Sequence, residues 1–298
     1  MLGKSFLILA LSVLSCIPAM ADREDRNLFH SKADSLSFAL GFANSPDGKL
    51  FRKCLDQIGS DAAYTDDYLQ GMSQGLGLTE ILEADRNSRQ ALAYDLGIKQ
   101  GATIKAQLNQ ISSRFFGGDK TARINYGQFL KGYTAHIRKQ KLKFNGKTLT
   151  ADAAADYVQT SIAENYKKTS AAFLADRASA DEVKELQDGI LYRVVLDSNS
   201  REYAELTDTV VVKYEGKLPD GTVFDSSHER ENGVMKFPVD RVISGWTKVL
   251  LRMPLGATWV VYLPADEAYG KRGAGQKIPP YSALEFRITL KEIIKSNH

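Results

Sequence analysis

Histidine and cysteine are scarce in this chain, and their placement excludes several kinds of chemistry. The four histidines stand at 30, 136, 228 and 298, with no ligand spacing to one another or to Cys54. A zinc-type site needs imidazoles and thiolates at short, defined intervals, so no metal is expected. No G-x-S-x-G elbow occurs, which argues against a serine hydrolase of that design. "GKRGAGQK" at 270–277 contains G-x-x-x-x-G, but Gln276 stands where a phosphate loop requires lysine and "IPP" follows in place of a helix. The stretch reads as a solvated loop. Charge is equally unhelpful to a nucleic-acid or polybasic-membrane function. The formal net charge is only +3 and no run of five like charges occurs.

Long apolar runs are missing too, except at the start. "MLGKSFLILALSVLSCIPAMA" has an early Lys4, an apolar stretch from Phe6 to Ile17 and a small-x-small ending at Ala19-Met20-Ala21. It is too short and wrongly flanked for a spanning helix and reads as a secretory signal, residues 1–21, cleaved after Ala21. The alternative is a lipoprotein signal that retains Cys16, although Leu14 and the following "IPAM" suit that motif poorly. The expected location is therefore the periplasm, with outer-membrane anchoring or the cell surface as alternatives. Cleavage would leave Cys54 alone, so no intrachain disulfide could form in spite of export. A small apolar core residue is the expected role of Cys54, and an intermolecular cross-link the alternative.

What is present falls into two halves. Residues 22 to about 180 read as helical and 190 to 298 mostly as strand, an order that implies separate domains. The expected boundaries are a helical N-terminal domain over 22–147, a long linker helix over 148–187 and a strand-rich domain over 188–298. The helical half repeats itself: "DSLSFALG" at 34–41 is echoed by "RQALAYDLG" at 89–97, and "DDYLQG" at 66–71 by "GQFLKG" at 127–132. Leu36, Ala39 and Leu40 fall at i, i+3 and i+4, as do Ala93, Leu96 and Gly97. The glycines suggest close helix approach; coincidence between amphipathic helices is the rival reading. Residues 149–186 hold no proline or glycine and are expected to form one helix of about 38 residues, near 57 Å long.

The second half changes to period two. "ALEFRITLKEI" alternates Leu284, Phe286, Ile288 and Leu290 against Glu285, Arg287, Thr289 and Lys291, a strand with one buried face. "ILYRVVL", "TVVVKYEGKL" and "ATWVVYLP" are further strands, and "LPDGTVF" reads as a hairpin turn. Only "VISGWTKVLLRM" is helical, with Val242, Trp246, Val249 and Leu250 on one side. The expected fold class is α+β: an all-helical N-terminal domain, a long linking helix, and an antiparallel sheet curved around one short helix. Within it stands an apolar constellation with a few polar tips: Tyr214, Phe224-Asp225, Met235, Phe237, Val242-Ile243, Trp246, Tyr269, Ile278 and Phe286. Each has an ordinary reading as a core residue.

Four segments in register, "VVVKYEGKLPDGTVFDSS", "VISGW", "MPLGATWVVYLPADEAYG" and "IPPYSALEFRITL", resemble the FKBP-type peptidyl-prolyl isomerase domain over about 190–295. The helical region before them resembles, more loosely, the exported Mip and FkpA-like branch. The resemblance implies an isomerase that assists folding of unfolded or proline-containing polypeptides without cofactor, metal or covalent intermediate. It also implies a homodimer through the helical domain and inhibition by rapamycin-type macrolides. Position by position it makes Trp246 the pocket floor, with Phe224, Phe237, Val242, Ile243 and Phe286 as walls. Tyr269 would offer its hydroxyl, and Ile243 its backbone N–H, to substrate carbonyls. Ile278 would shape the overhanging loop, and Asp225 would sit at the pocket edge, bonded by Tyr214. Met235 departs from the aromatic that many relatives carry, and Ala274 and Lys277 would lie in the substrate-facing loop, whose variable composition affects sequence preference. A dimeric holdase that binds unfolded chains, with isomerisation incidental, is the competing function.

Overall fold

The computed structural model describes residues 31–80, 85–144, 146–228 and 230–296. The expected signal peptide, with Cys16, lies outside the described residues. The chain divides into two compact units, one of Met1–Ser112 with Ala122–Ser161, the other of Ser113–Thr121 with Ile162–His298.

The first unit is helical: α1 (Lys32–Asn44), α2 (Gly48–Gln57), α3 (Thr65–Gly75), most of α4 (Ser88–Phe115), α5 (Tyr126–Ile137), and the start of α6 (Ala151–Ala178). A two-residue pair, β1 (Lys143–Phe144) with β2 (Lys147–Thr148), precedes α6. Polar caps set the helix starts. Ser31 accepts from the Asp34 N–H, Asp47 from Lys49 and Leu50, and Asn125 from Gln128, each satisfying donors that the first turn leaves open. Leu36, Ala39, Leu40 and Ala93 are buried, as their spacing requires. Cys54 on α2 is free and half-buried, and burial raises its thiol pKa.

Helix α6 is shorter than its composition suggests, 28 residues instead of about 38. The Ser179 hydroxyl donates to the Asp176 carbonyl at 2.7 Å, a local bond of the kind that competes with helix continuation. Beyond it, β3 (Lys184–Glu185) pairs with β4 (Leu191–Leu196).

In the second unit the remaining strands are β5 (Thr209–Lys217), β6 (Val223–Ser226), β7 (Met235–Pro238), β8 (Thr258–Leu263) and β9 (Leu284–Ile294), with α7 (Ser244–Leu250) between β7 and β8. All pairs are antiparallel, in the order β3-β4-β8-β9-β5-β6. Strand β7 joins the same edge of β5 as β6, further along: β6 faces Glu215 to Lys217 and β7 faces Thr209 to Val212. The hairpin between β5 and β6 turns at Gly221, whose φ of 82° favours glycine.

Burial explains the sequence patterns. On β9, Leu284, Phe286, Ile288 and Leu290 point into the core and their neighbours do not. Strand β8 is buried at every position. One face joins the main core through Trp259 and Val261; on the other, Val260 and Tyr262 meet Phe173 and Leu174 of α6. A strand covered on both faces reads as an unbroken apolar run, which is how "TWVVYL" reads. Helix α7 is shorter than "VISGWTKVLLRM" suggests, with Val242 ahead of its first turn, and it buries Trp246, Val249 and Leu250.

Candidate active site

Helix α7 lays Trp246 against the inner face of the sheet, and three other rings meet it edge-on. Tyr214 stands 5.2 Å away at 87°, Phe286 5.2 Å at 82°, and Phe237 5.6 Å at 82°. Phe224 meets Phe286 at 5.5 Å and 90°. Edge-to-face pairs set the positive ring edge on the negative ring face, a favoured arrangement that also fixes ring orientation. The rings come from β5, β6, β7, α7 and β9, so the cup exists only once the sheet has closed around the helix. Gly216 makes that closure possible. It lies opposite Phe286 on one side and Asp225 on the other, and a Cβ there would come within 2.6 Å of the Phe224 ring and 2.8 Å of the Phe286 ring.

The wall is finished on one side and open on the other. Trp246, Phe224, Phe286, Tyr214 and Ile278 are buried, whereas Met235, Phe237, Val242 and Ile243 are partly buried and pack against them. Tyr269 is the most open, 38% exposed. The Trp246 Nε1–H is buried and bonds to nothing among the described residues. Such an unmet donor costs roughly 1–3 kcal/mol. Ile243 caps α7, so its own N–H lies ahead of the helix's internal bonding.

Asp225 is half-buried at the end of β6 and is held on both oxygens. The Tyr214 hydroxyl donates to Oδ2 at 2.7 Å and the Ser226 N–H to Oδ1 at 2.9 Å. A carboxylate against apolar surface is tolerable only with such donors. The tyrosines respond. Burial, then the bond to Asp225, holds the Tyr214 hydroxyl far above its usual range, and burial, then the Asp225 charge, raises Tyr269.

Two positions around the cup make contacts that the residue pattern does not show. The Lys277 ammonium donates to the Phe224 carbonyl at 3.1 Å, tying the "GKRGAGQK" loop to the strand that bears Asp225. Ser170 of α6 donates to the Tyr281 carbonyl at 2.9 Å and accepts from the Ala283 N–H at 2.8 Å. It thereby pins the backbone just past Ile278-Pro279-Pro280, where Tyr281 has a φ of 60°. Their partners lie 53 and more than 110 residues away, so no local spacing could reveal them.

Two family models match: FKBP-type peptidyl-prolyl cis-trans isomerase over residues 200–291, and the domain amino terminal to FKBP-type peptidyl-prolyl isomerase over 89–194. The chain is 34% identical over 227 residues to the outer membrane protein MIP of Legionella longbeachae, covering 76% of this chain and 94% of that one. The chain belongs to the FKBP-type peptidyl-prolyl cis-trans isomerase family. Within the family it is 43% identical over 122 residues to the FKBP-type 22 kDa isomerase of Escherichia coli, covering 41% of this chain and 58% of the relative. It is 30% identical over 210 residues to the probable isomerase FkpA of Neisseria meningitidis, covering 70% and 75%. Family membership and the observed architecture agree with the fold expected from the sequence, a helical region followed by an antiparallel sheet around a short helix.

Proposed function

We propose that the chain is an exported peptidyl-prolyl cis-trans isomerase that works through the aromatic cup. The observation that carries this is the buried indole of Trp246, ringed edge-on by Tyr214, Phe237 and Phe286 and opening past half-buried side chains.

Rotation about an X–Pro bond faces a barrier of about 18–20 kcal/mol because it breaks amide resonance. At the twisted transition state the C–O dipole shrinks, so water stabilises the planar ground state more. A cup walled by rings removes that preference while holding the proline ring over Trp246. Each tenfold of rate needs only about 1.4 kcal/mol, well within such differential solvation. Phe224, Phe237, Val242, Ile243 and Phe286 serve as walls, with Met235 beside them and Ile278 in the overhang. The Tyr269 hydroxyl and the Ile243 N–H take substrate carbonyls on either side of the proline. Asp225, oriented by Tyr214, acts on the amide from the cup's edge. Unfolded, proline-containing chains are the substrates, and macrolides of the rapamycin type compete for the cup. The N-terminal 21 residues direct export to the periplasm, and sequencing the mature N-terminus from its native host distinguishes Asp22 from a lipid-bearing Cys16.

Isomerisation of a short X–Pro peptide is the test. The chain should accelerate it, Trp246→Ala should lose most of the acceleration, and Tyr269→Phe part of it. Asp225→Leu should lower the rate in a protein that still folds; an unchanged rate would confine Asp225 to loop geometry. No acceleration by the unaltered chain, with unfolded polypeptide still bound, would leave the holdase reading in place.

A further inference from the structure

We propose that the helical unit is a tandem duplication closed on itself: one chain supplies both halves of a two-fold helix arrangement, so the protein is a monomer with one cup. The inference does not depend on what the cup does.

The two sequence echoes define two copies. Phe38-Ala39-Leu40-Gly41 on α1 corresponds to Tyr94-Asp95-Leu96-Gly97 on α4, and Tyr68-Leu69-Gln70-Gly71 on α3 to Phe129-Leu130-Lys131-Gly132 on α5. At the glycine crossings the helices meet between copies. Helix α1 packs on α5 and α4 on α3, so each pair joins one copy to the other.

The crossings match atom for atom. A Cβ on Gly41 would overlap the Phe129 carbonyl oxygen, and its counterpart on Gly97 would overlap that of Tyr68, the residue equivalent to Phe129. A Cβ on Gly132 would overlap the Phe38 carbonyl oxygen, and its counterpart on Gly71 that of Tyr94, the residue equivalent to Phe38. Exchanging the two copies therefore maps each of these contacts onto another. Glycine inside a helix costs about 1 kcal/mol relative to alanine. All four positions recover that cost through backbone contact between copies. Similar amphipathic helices packed by chance would have no reason to place four glycines on exchangeable contacts. Between the second helices of the two copies, the buried Tyr68 and Tyr133 hydroxyls bond each other at 2.9 Å.

A repeat that must be covered by another copy of itself ordinarily recruits a second chain with the same surface. Here the second copy is already in the polypeptide, and it occupies all four crossings. The amino-terminal domain of the family, matched over 89–194, takes in the second copy, and the first copy at 34–71 precedes it. This arrangement replaces the homodimer that the family resemblance implies.

Sedimentation equilibrium of the mature full chain, from low to high micromolar, decides it. One-chain mass throughout is expected, and a two-chain mass would overturn the proposal. Gly97→Val gives a second arm, since Val forces α4 off α3. In a self-closed chain it lowers the thermal transition and leaves the mass at one chain. If the crossings join two chains, it converts a two-chain species into a one-chain species, which would also overturn the proposal.

Discussion

The two units treat buried aromatic rings in opposite ways. In the helical unit Tyr68 and Tyr133 are almost wholly enclosed; their hydroxyls bond each other, and Tyr68 donates onward to Gln100. In the strand unit Trp246 has no partner for its N–H among the described residues, and Phe237, Val242 and Ile243 remain partly open beside it. The first is a finished core in which each ring answers to another. The second is a core left incomplete on one side. The Trp259 indole has an unmet buried N–H as well, among the described residues. The mark of a site is therefore the other feature: packing that stops short of closure leaves apolar surface open to a guest.

The sharpest way to break that contrast is to empty each unit in turn. Phe286→Ala and Phe129→Ala remove equally buried rings, and each should destabilise the protein by about 3–5 kcal/mol. Only Phe286→Ala should abolish isomerisation of a short peptide, measured at a temperature where both variants remain folded. Equal loss of activity in Phe129→Ala would mean that the catalytic work is not confined to the cup.

A smaller effect is expected at Gly216. Adding one methyl in Gly216→Ala drives a Cβ into the Phe224 and Phe286 rings, an overpacking that should cost about 1–3 kcal/mol. Because both rings line the cup, KM should rise with the loss of stability. Stability lost with KM unchanged would show that the two rings serve the core alone.

Much of this was legible in the residue pattern, for physical reasons that also mark where legibility ends. Strand β9 was readable because one face is buried and the other wet, so the period-two alternation of Leu284 to Leu290 survives in the burial. The copies in the helical half were readable because glycine is costly in a helix interior and recurs at Gly41, Gly71, Gly97 and Gly132, where backbones touch. Their pairing across copies was not, since α1 with α5 and α1 with α3 would satisfy the same local pattern. The end of α6 was misjudged by composition, which registers the absence of proline and glycine but not a serine bonding back to Asp176. Of the cup, the ring-bearing positions stood out as a group. Ser170 did not, and Lys277 stood out only as a member of the substrate-facing loop, because a hydroxyl and an ammonium acquire their meaning from distant backbone atoms.

Ser170 sharpens the comparison, since it is a helix residue of α6 that belongs to the strand unit. Ser170→Ala deletes the donor to Tyr281 and the acceptor for Ala283, at about 1–3 kcal/mol for the buried groups left unmet. The expected signature is a raised KM with kcat nearly kept, because the overhang holding Ile278 loosens while Trp246 and Asp225 stay in place. Recovery in Ser170→Thr, which restores a hydroxyl, separates positioning from general loss of stability. A fall in kcat alone would exclude a positioning role.

The smallest expected effect is an absence of change on the alkaline side. Tyrosines ionise near pH 10 in an open chain, and both units hold theirs higher: Tyr68 and Tyr133 by burial first, Tyr214 by burial and then its bond to Asp225, Tyr269 by burial and then the Asp225 charge. A group whose folded pKa is raised contributes stability that is complete below its unfolded pKa. That stability is lost as pH climbs through the folded value, because the unfolded chain releases its proton first. Stability contributed by these hydroxyls should therefore hold up to about pH 10 and decline only beyond it. Activity should follow, because a cup that needs the Tyr269 proton still has it there. A rate that falls with a midpoint near or below 10 in the unaltered chain, and not in Tyr269→Phe, would show that this hydroxyl titrates like an open-chain tyrosine. The exposed rim of the cup would then be water, in contrast to the dry Tyr68–Tyr133 pair, and catalysis by exclusion of solvent would have to rest on the indole and phenylalanine walls alone.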